Sequence, residues 1–237
     1  MAGQCAARRG KAGLSSACLG KARRGVNDNQ GKECFMRIEL TMQGSSPLVM
    51  HNVSLADPNN PIVKEIAAIT DKGSNMTDAD RLEVSRLEFI GGLYIGKGGP
   101  SLPSRNILRC IANAAKIRRL GKDVERALIP TTVELPLHYK GPRDPAALWD
   151  AVEYRYAAAV RIGRGLVIRM RPAFPDWQVS SEWELLTEIL NYRDFKSIAE
   201  AAGLIEGLGD NRRNGYGRFL AQVEEMKNER AVSAKAA

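Results

Sequence analysis

The order of periodic segments in this sequence predicts an α+β domain: a ferredoxin-like antiparallel sheet with helices on one face and helical and hairpin insertions. Three observations predict it. The stretch from Met36 alternates, with Ile38, Leu40 and Met42 on one side, as a half-buried strand does. Toward the other end, a strand over Trp177–Leu186, a helix over Tyr192–Ala202 and a strand over Tyr216–Val223 make half of a split β-α-β unit. Between them, helical periods and short alternating runs supply the other half and its insertions.

Taken in order, the first strand breaks at Gly44-Ser-Ser-Pro47, and Leu48-Val-Met50 continues an apolar stretch. Asn60 caps a helix that has Pro61 at its first position and Ile62, Val63, Ile66 and Ile69 on its apolar face. Thr77 and Asp80 have the spacing of a capping box, opening a helix to about Phe89 that Leu82, Leu87 and Ile90 anchor. A short strand is expected over Gly91–Ile95, with a glycine turn after it. Ser104 is placed to cap a helix running to about Arg118. Ile107, Leu108, Ile111 and Ala115 form its buried side, while Arg105, Arg109, Asn113 and Lys116 line another face.

Lys116 to Arg126 reads as a basic connection, and Thr132 to Tyr139 as a strand with Val133, Leu135 and Leu137 on one side. A turn at Gly141–Pro145 leads into a short helix carrying Leu148 and Trp149. Val160 to Arg171 reads as one strand. Val160, Ile162, Leu166, Ile168 and Met170 make its apolar face, and Arg161, Arg169 and Arg171 its opposite face. An arginine-bearing sheet face suits a phosphate backbone; an exposed face kept soluble by arginine is the plainer alternative. Trp177 and Trp183 share a face and read as core.

The chain of 237 residues is 44% hydrophobic and 26% charged, which suits one globular domain. Its formal charge of +8 points to an anionic partner. Residues 1–35 hold seven Lys/Arg against two Asp/Glu, so +5 of that charge sits there. They read as a disordered basic tail. The domain is expected over residues 36–226, and a disordered polar tail over 227–237. The four cysteines show no Cys-x-x-Cys pair, which argues against zinc and against a disulfide framework. A reducing, cytoplasmic environment is expected, with no membrane span.

Between the last helix and the last strand lies Gly207-Leu-Gly209-Asp-Asn-Arg-Arg-Asn-Gly215-Tyr-Gly217-Arg218. Two Gly-x-Gly pairs flank a basic insert. Such a loop permits close backbone approach, its N–H groups can converge on an anion, and Arg212, Arg213 and Arg218 add charge. Tyr216 adds a stacking face. The plainer reading is an ornate helix-to-strand turn. A dinucleotide fingerprint runs from strand to helix, the reverse of the order here, and a Walker loop would end in Gly-Lys-Ser/Thr.

The loop resembles the C-terminal glycine-rich loop of the RAMP superfamily, the RNA-binding proteins of CRISPR systems, which has a Gly-x-Gly-x5-Gly-x-Gly pattern. Gly207, Gly209, Gly215 and Gly217 match it. Ser101-Leu-Pro-Ser-Arg-Asn-Ile-Leu-Arg109 loosely resembles a second signature of that family, a polar turn opening a helix, without its usual glycines. The resemblance covers roughly Met36 to Glu225. It implies an RRM-like domain that binds single-stranded nucleic acid, RNA ahead of DNA. The nearest likeness is to the effector backbone subunits, which polymerise along a guide RNA, and phage- or prophage-encoded relatives share the intervening helices.

On these readings the nucleic-acid contacts are Ser104, Arg105, Arg109, Lys116, Arg161, Arg169, Arg171 and the loop residues Gly207, Gly209, Arg212, Arg213, Gly215, Tyr216, Gly217 and Arg218. No cofactor or metal is expected, and a homo-oligomer or filament along the strand is. The chain has only two histidines, His51 and His138. RAMP-type processing nucleases use a histidine near the first strand, so His51 is the residue of an alternative, metal-independent endoribonuclease. The leading expectation is a binder without catalysis. A third reading is an assembly protein whose basic surface meets an acidic protein partner.

Overall fold

Alternation along β1 (Phe35–Gly44) puts Ile38, Leu40 and Met42 on one side, where all three are fully buried. In the computed structural model, which describes residues 35–163 and 165–226 with the Ile162 side chain left out, β1 lies at the centre of a four-stranded sheet. Its neighbours are β10 (Phe219–Glu225) and β9 (Gln178–Leu186), and β5 (Leu128–Pro130) lies beyond β9. Every neighbouring pair is antiparallel. Numbered in chain order, these four strands stand fourth, first, third, second, which is the ferredoxin-like arrangement. The expected tails lie outside the described residues, apart from Phe35.

Two helices cover the apolar side of this sheet. α3 (Ser104–Ala115) presents Ile107, Cys110 and Ile111, and α6 (Tyr192–Ile205) presents Phe195, Ile198 and Ala202. Trp183 pairs with Ile38 across the strands and is fully buried, its indole N–H donating to the Ser181 hydroxyl (2.8 Å). Trp177 is buried beside it in sequence and donates to the Ser46 carbonyl (2.9 Å). Both indoles are core, with their one polar atom satisfied.

The insertions follow local signals. Asn60 caps α1 (Pro61–Thr70) by accepting from the Ile62 amide (2.9 Å). Thr77 and Asp80 form the capping box of α2 (Asp78–Gly92), with Leu87 buried. Leu82 is exposed, so it anchors nothing. α2 also runs through Gly91 and Gly92, where a strand was expected; Gly91 packs against Leu55 and Ile62, and that contact outweighs glycine's low helix propensity. The basic connection contains α4 (Gly121–Ala127), whose buried Val124 and Ala127 are too few among charges to show a period. Of the expected Thr132 strand only β6 (Glu134–Pro136) forms, paired with β4 (Gly99–Pro103), which pairs in turn with β3 (Ile95–Gly96); Val133 is exposed. The short helix carrying Leu148 and Trp149 is α5 (Pro145–Asp150).

The largest departure is at residues 155–174. The expected single strand is a hairpin: β7 (Arg155–Ile162) and β8 (Gly165–Phe174) pair antiparallel, with Ile162 opposite Gly165. β2 (Leu48–Val49) pairs with the far end of β8. Paired residues share a face, so with Ile162 opposite Gly165 the parity of the pattern reverses between the two strands. Arg169 pairs with Ala158 and Arg171 with Tyr156, which puts them on one face. Arg161 pairs with Leu166 and lies on the other, correcting the expected common face.

Candidate nucleic-acid interface

The glycine loop is first a device for bringing backbones together. Gly207, Gly209, Gly215 and Gly217 all have positive φ. At Gly217 (φ 68°) a Cβ would lie 1.8 Å from the Leu208 carbonyl oxygen, and at Gly209 (φ 74°) 2.3 Å from that of Val49. Neither position admits a side chain. The loop amides are accordingly spent inside the protein. Leu208 donates to the Gly217 carbonyl (2.8 Å), Asp210 to Val49 (2.7 Å) and Gly217 to Pro47 (2.8 Å). This corrects the reading of the loop as a bare cradle of converging N–H groups: most of its glycines are explained by packing onto β2 and onto itself.

What the loop does present is a cleft. Its backbone from Gly207 to Asp210 and Arg212 face Asn106 and Arg109 of α3, together with His51 and Tyr94, across a cavity of about 210 Å³. Cys110 ties α3 to the loop by donating to the Gly207 carbonyl (3.1 Å). Burial pushes that thiol up to about 12, so it serves as packing rather than as a nucleophile. Arg109 is exposed at the cleft, Arg105 is exposed one turn earlier on α3, and Arg213 is exposed at the loop tip. Arg212 faces the cleft with Glu206 3.6 Å away. Lys116 is exposed about two turns beyond Arg109 and donates to Asn113 (2.7 Å), outside the cleft.

Other expected contacts are engaged elsewhere. Ser104 is buried and makes no capping hydrogen bond; its amide donates to the Val133 carbonyl (2.8 Å), so the start of α3 is closed off by the chain leading into β6. Arg218 turns inward, its Nη2 donating to the Arg212 carbonyl (3.2 Å) and its Nη1 buried, and so braces the loop. Tyr216 is half-buried against Tyr156 of β7, with ring centroids 4.9 Å apart. Asn211 donates to the Tyr156 hydroxyl (2.9 Å). Arg171 forms an ion pair with Asp210, and Arg169 one with Glu88 of α2. The hairpin base and the glycine loop are thereby joined by an aromatic pair, a hydrogen bond and an ion pair. Arg161 stands exposed and away from them, on the opposite hairpin face.

Asp210, Glu88, Asn106 and Tyr94 were not singled out as contacts. Glu88 had a signal: it falls at an apolar position of α2, in the row Val84, Leu87, Glu88, Gly91. His51 follows β2 and lines the cleft. Desolvation lowers its pKa, and the positive charge of Arg171 lowers it further, so the imidazole is neutral at pH 7. Among the described residues no group of three or more His, Cys, Asp or Glu is placed to hold a metal ion, and no helix is long and apolar enough to cross a membrane.

The open face of the four-stranded sheet differs sharply in character. Glu39 is paired with Glu224 on one side and Glu182 on the other, so three carboxylates stand in a row across β10, β1 and β9. Arg37, Thr41, Gln43, Ser180, Glu184 and Gln222 fill the positions around them, and Phe35, exposed at the end of β1, lies on the same face.

No protein-family model matches this sequence, and no curated protein does. Among solved structures, the chain is similar to one from the cryo-EM structure of the Type III-B Cmr-beta bound to cognate target RNA. The identity is 14% and the TM-score 0.37, over 81% of this chain and 61% of that one. This chain therefore spans less than two thirds of the length of that relative. It is also similar to Cmr6 from Pyrococcus furiosus, at 12% identity and a TM-score of 0.35, over 81% of this chain and 99% of that one. At these overlaps the likeness bears on no activity, substrate or partner.

Proposed function

We propose that this chain binds single-stranded nucleic acid without cutting it, RNA ahead of DNA, in the manner of an effector backbone subunit, with copies set side by side along one strand. The observation that carries this reading is the set of free guanidinium groups at and beside the glycine-loop cleft. Arg109 is exposed at the cleft, Arg105 one turn earlier on α3 and Arg213 at the loop tip, and among the described residues none has an ion-pair partner. Unpaired cations beside an uncluttered backbone suit a phosphate chain, and the acidic open face keeps such a chain off the sheet. Duplexes present the same phosphates, so they are the competitor to test.

The test is a salt series of affinities for RNA and DNA 20-mers and for a duplex, with the Arg109→Ala/Arg213→Ala variant alongside. The variant is expected to bind single strands at least tenfold more weakly at low salt. Its log–log salt slope should be shallower by about 1.4, the loss of two phosphate contacts. Unchanged affinity and slope in a folded variant would remove the loop from the interface.

A second reading is a metal-independent endoribonuclease, favoured by the neutral His51 imidazole at the cleft. An imidazole in that state can take the proton of a 2′-hydroxyl. End-labelled RNA incubated with the purified protein is expected to stay intact; cleavage that disappears with His51→Ala would establish the nuclease instead.

A further inference from the structure

His51 lines a second cavity on its other side, of about 370 Å³, between α1 and the β7–β8 hairpin. Its walls are apolar: Leu55, Val63 and Ile66 from one side, Val160 and Met170 from the other. α1 has an apolar face yet buries none of its residues fully, so that face is left partly uncovered where it lines this space. The polar end is Glu88 with Arg169 and Arg171. Glu88 and Asp210 together balance Arg169 and Arg171, so the cavity carries no surplus of positive charge to attract a phosphate. Apolar walls with one small polar end suit a flat, uncharged ring.

We propose that this cavity receives an unstacked base of the strand held at the glycine loop, guanine in preference to the others. The inference rests on the strand-binding reading above. A carboxylate is an acceptor with about four lone-pair sites. Glu88 uses one oxygen for Arg169 and the other for the Met170 amide (2.9 Å), which leaves it able to accept two more donors. Guanine alone offers two adjacent donors, N1–H and the exocyclic amino group, with O6 beside them for Arg169. Adenine and cytosine set a ring acceptor next to their single amino group, and uracil has one N–H between two carbonyls; each would turn a lone pair toward Glu88. Bases of single strands are read on these edges. His51, shared by both cavities, marks where the sugar would pass from one to the other.

The experiment compares two RNA nonamers, all-uridine and uridine with one central guanosine, on the wild-type protein, on Ile66→Trp and on Glu88→Gln. Ile66→Trp fills the cavity without changing its charge or the glycine-loop cleft. The wild type is expected to prefer the guanosine nonamer about tenfold, the scale of one well-read base edge. Ile66→Trp, with its fold verified by melting, should lose that preference and keep the affinity for all-uridine. Glu88→Gln should narrow the preference. Equal binding of both nonamers by the wild type, or a preference that survives Ile66→Trp, would overturn the base pocket and leave strand binding standing. Failure to bind either nonamer would overturn strand binding and the pocket with it.

Discussion

On the open face of the four-stranded sheet, Glu224, Glu39 and Glu182 stand side by side. At the glycine-loop edge, Arg105, Arg109 and Arg213 stand exposed and unpaired among the described residues. Both regions ride on the same ferredoxin-like core. RRM-type recognition places aromatic rings on the open sheet face and stacks bases there. Here carboxylates hold the middle of that face, and the ring it carries, Phe35, stands at the end of β1 opposite Leu186. The loop edge differs in a second way. Its glycines serve the architecture, and its arginines are left over for a ligand.

The sharpest way to break that division is Gly217→Ala. The new Cβ would collide with the Leu208 carbonyl in a conformation that L residues rarely adopt. A loss of about 3 kcal/mol of stability is expected, read as a lower melting temperature, with strand binding falling only as the folded fraction falls. A variant that melts normally but binds poorly would mean the glycines touch the ligand, and the contrast between scaffold and contact would collapse.

A smaller effect sharpens the other half of the comparison. Glu39→Lys replaces the middle carboxylate of the row and leaves a cation between Glu224 and Glu182. Like charges directly across strands are destabilising and opposite charges favourable, so this variant should gain up to about 0.5 kcal/mol. Its affinity for single strands should stay within about twofold of the wild type at moderate salt, because the change lies on the sheet face opposite the one that α3 covers. An affinity change as large as that of the arginine variant would place the strand on the sheet face instead.

The smallest expected effect concerns His51. Its folded-state pKa lies below the unfolded value, so the unfolded chain binds the proton first as pH falls. The contribution is fully present above about pH 6.5, declines as pH drops from there through the folded value, and is flat below it. Melting curves between pH 7.5 and 5 should show this decline in the wild type and less of it in His51→Ala. An identical pH profile in both proteins would show that the cleft leaves the imidazole unperturbed.

The core was largely legible in the sequence because its signals are local. Alternation marked β1 and β9, Asn60 and Thr77 marked helix starts, and the order of elements implied the split β-α-β plan. The site was legible in part. Arg109, Arg212 and Gly207 do share a cleft. The hairpin was missed because the apolar period looks continuous from β7 into β8, and that one missed reversal moved Arg161 to the wrong face. The fates of Arg169, Arg171 and Arg218 depended on partners about 80, 40 and 6 positions away, Glu88, Asp210 and the Arg212 carbonyl, whose proximity no periodicity encodes. Ser104 looked like a cap because its residue type fits one, yet pairing through Val133 had already claimed its amide.

The contacts that close the glycine loop also constrain when the cleft can exist. Asp210 pairs with Val49, and the Ser46 hydroxyl donates to the Gly215 carbonyl across 169 positions of chain. These are among the least local contacts in the molecule, and contacts of that kind form late because the intervening loop must first be closed. During synthesis, β1, β2 and α3 are all made before the residues that complete the basic edge. A nascent chain therefore carries the arginines of α3 without a cleft around them, and the cleft is complete only when the last strand docks beside the first.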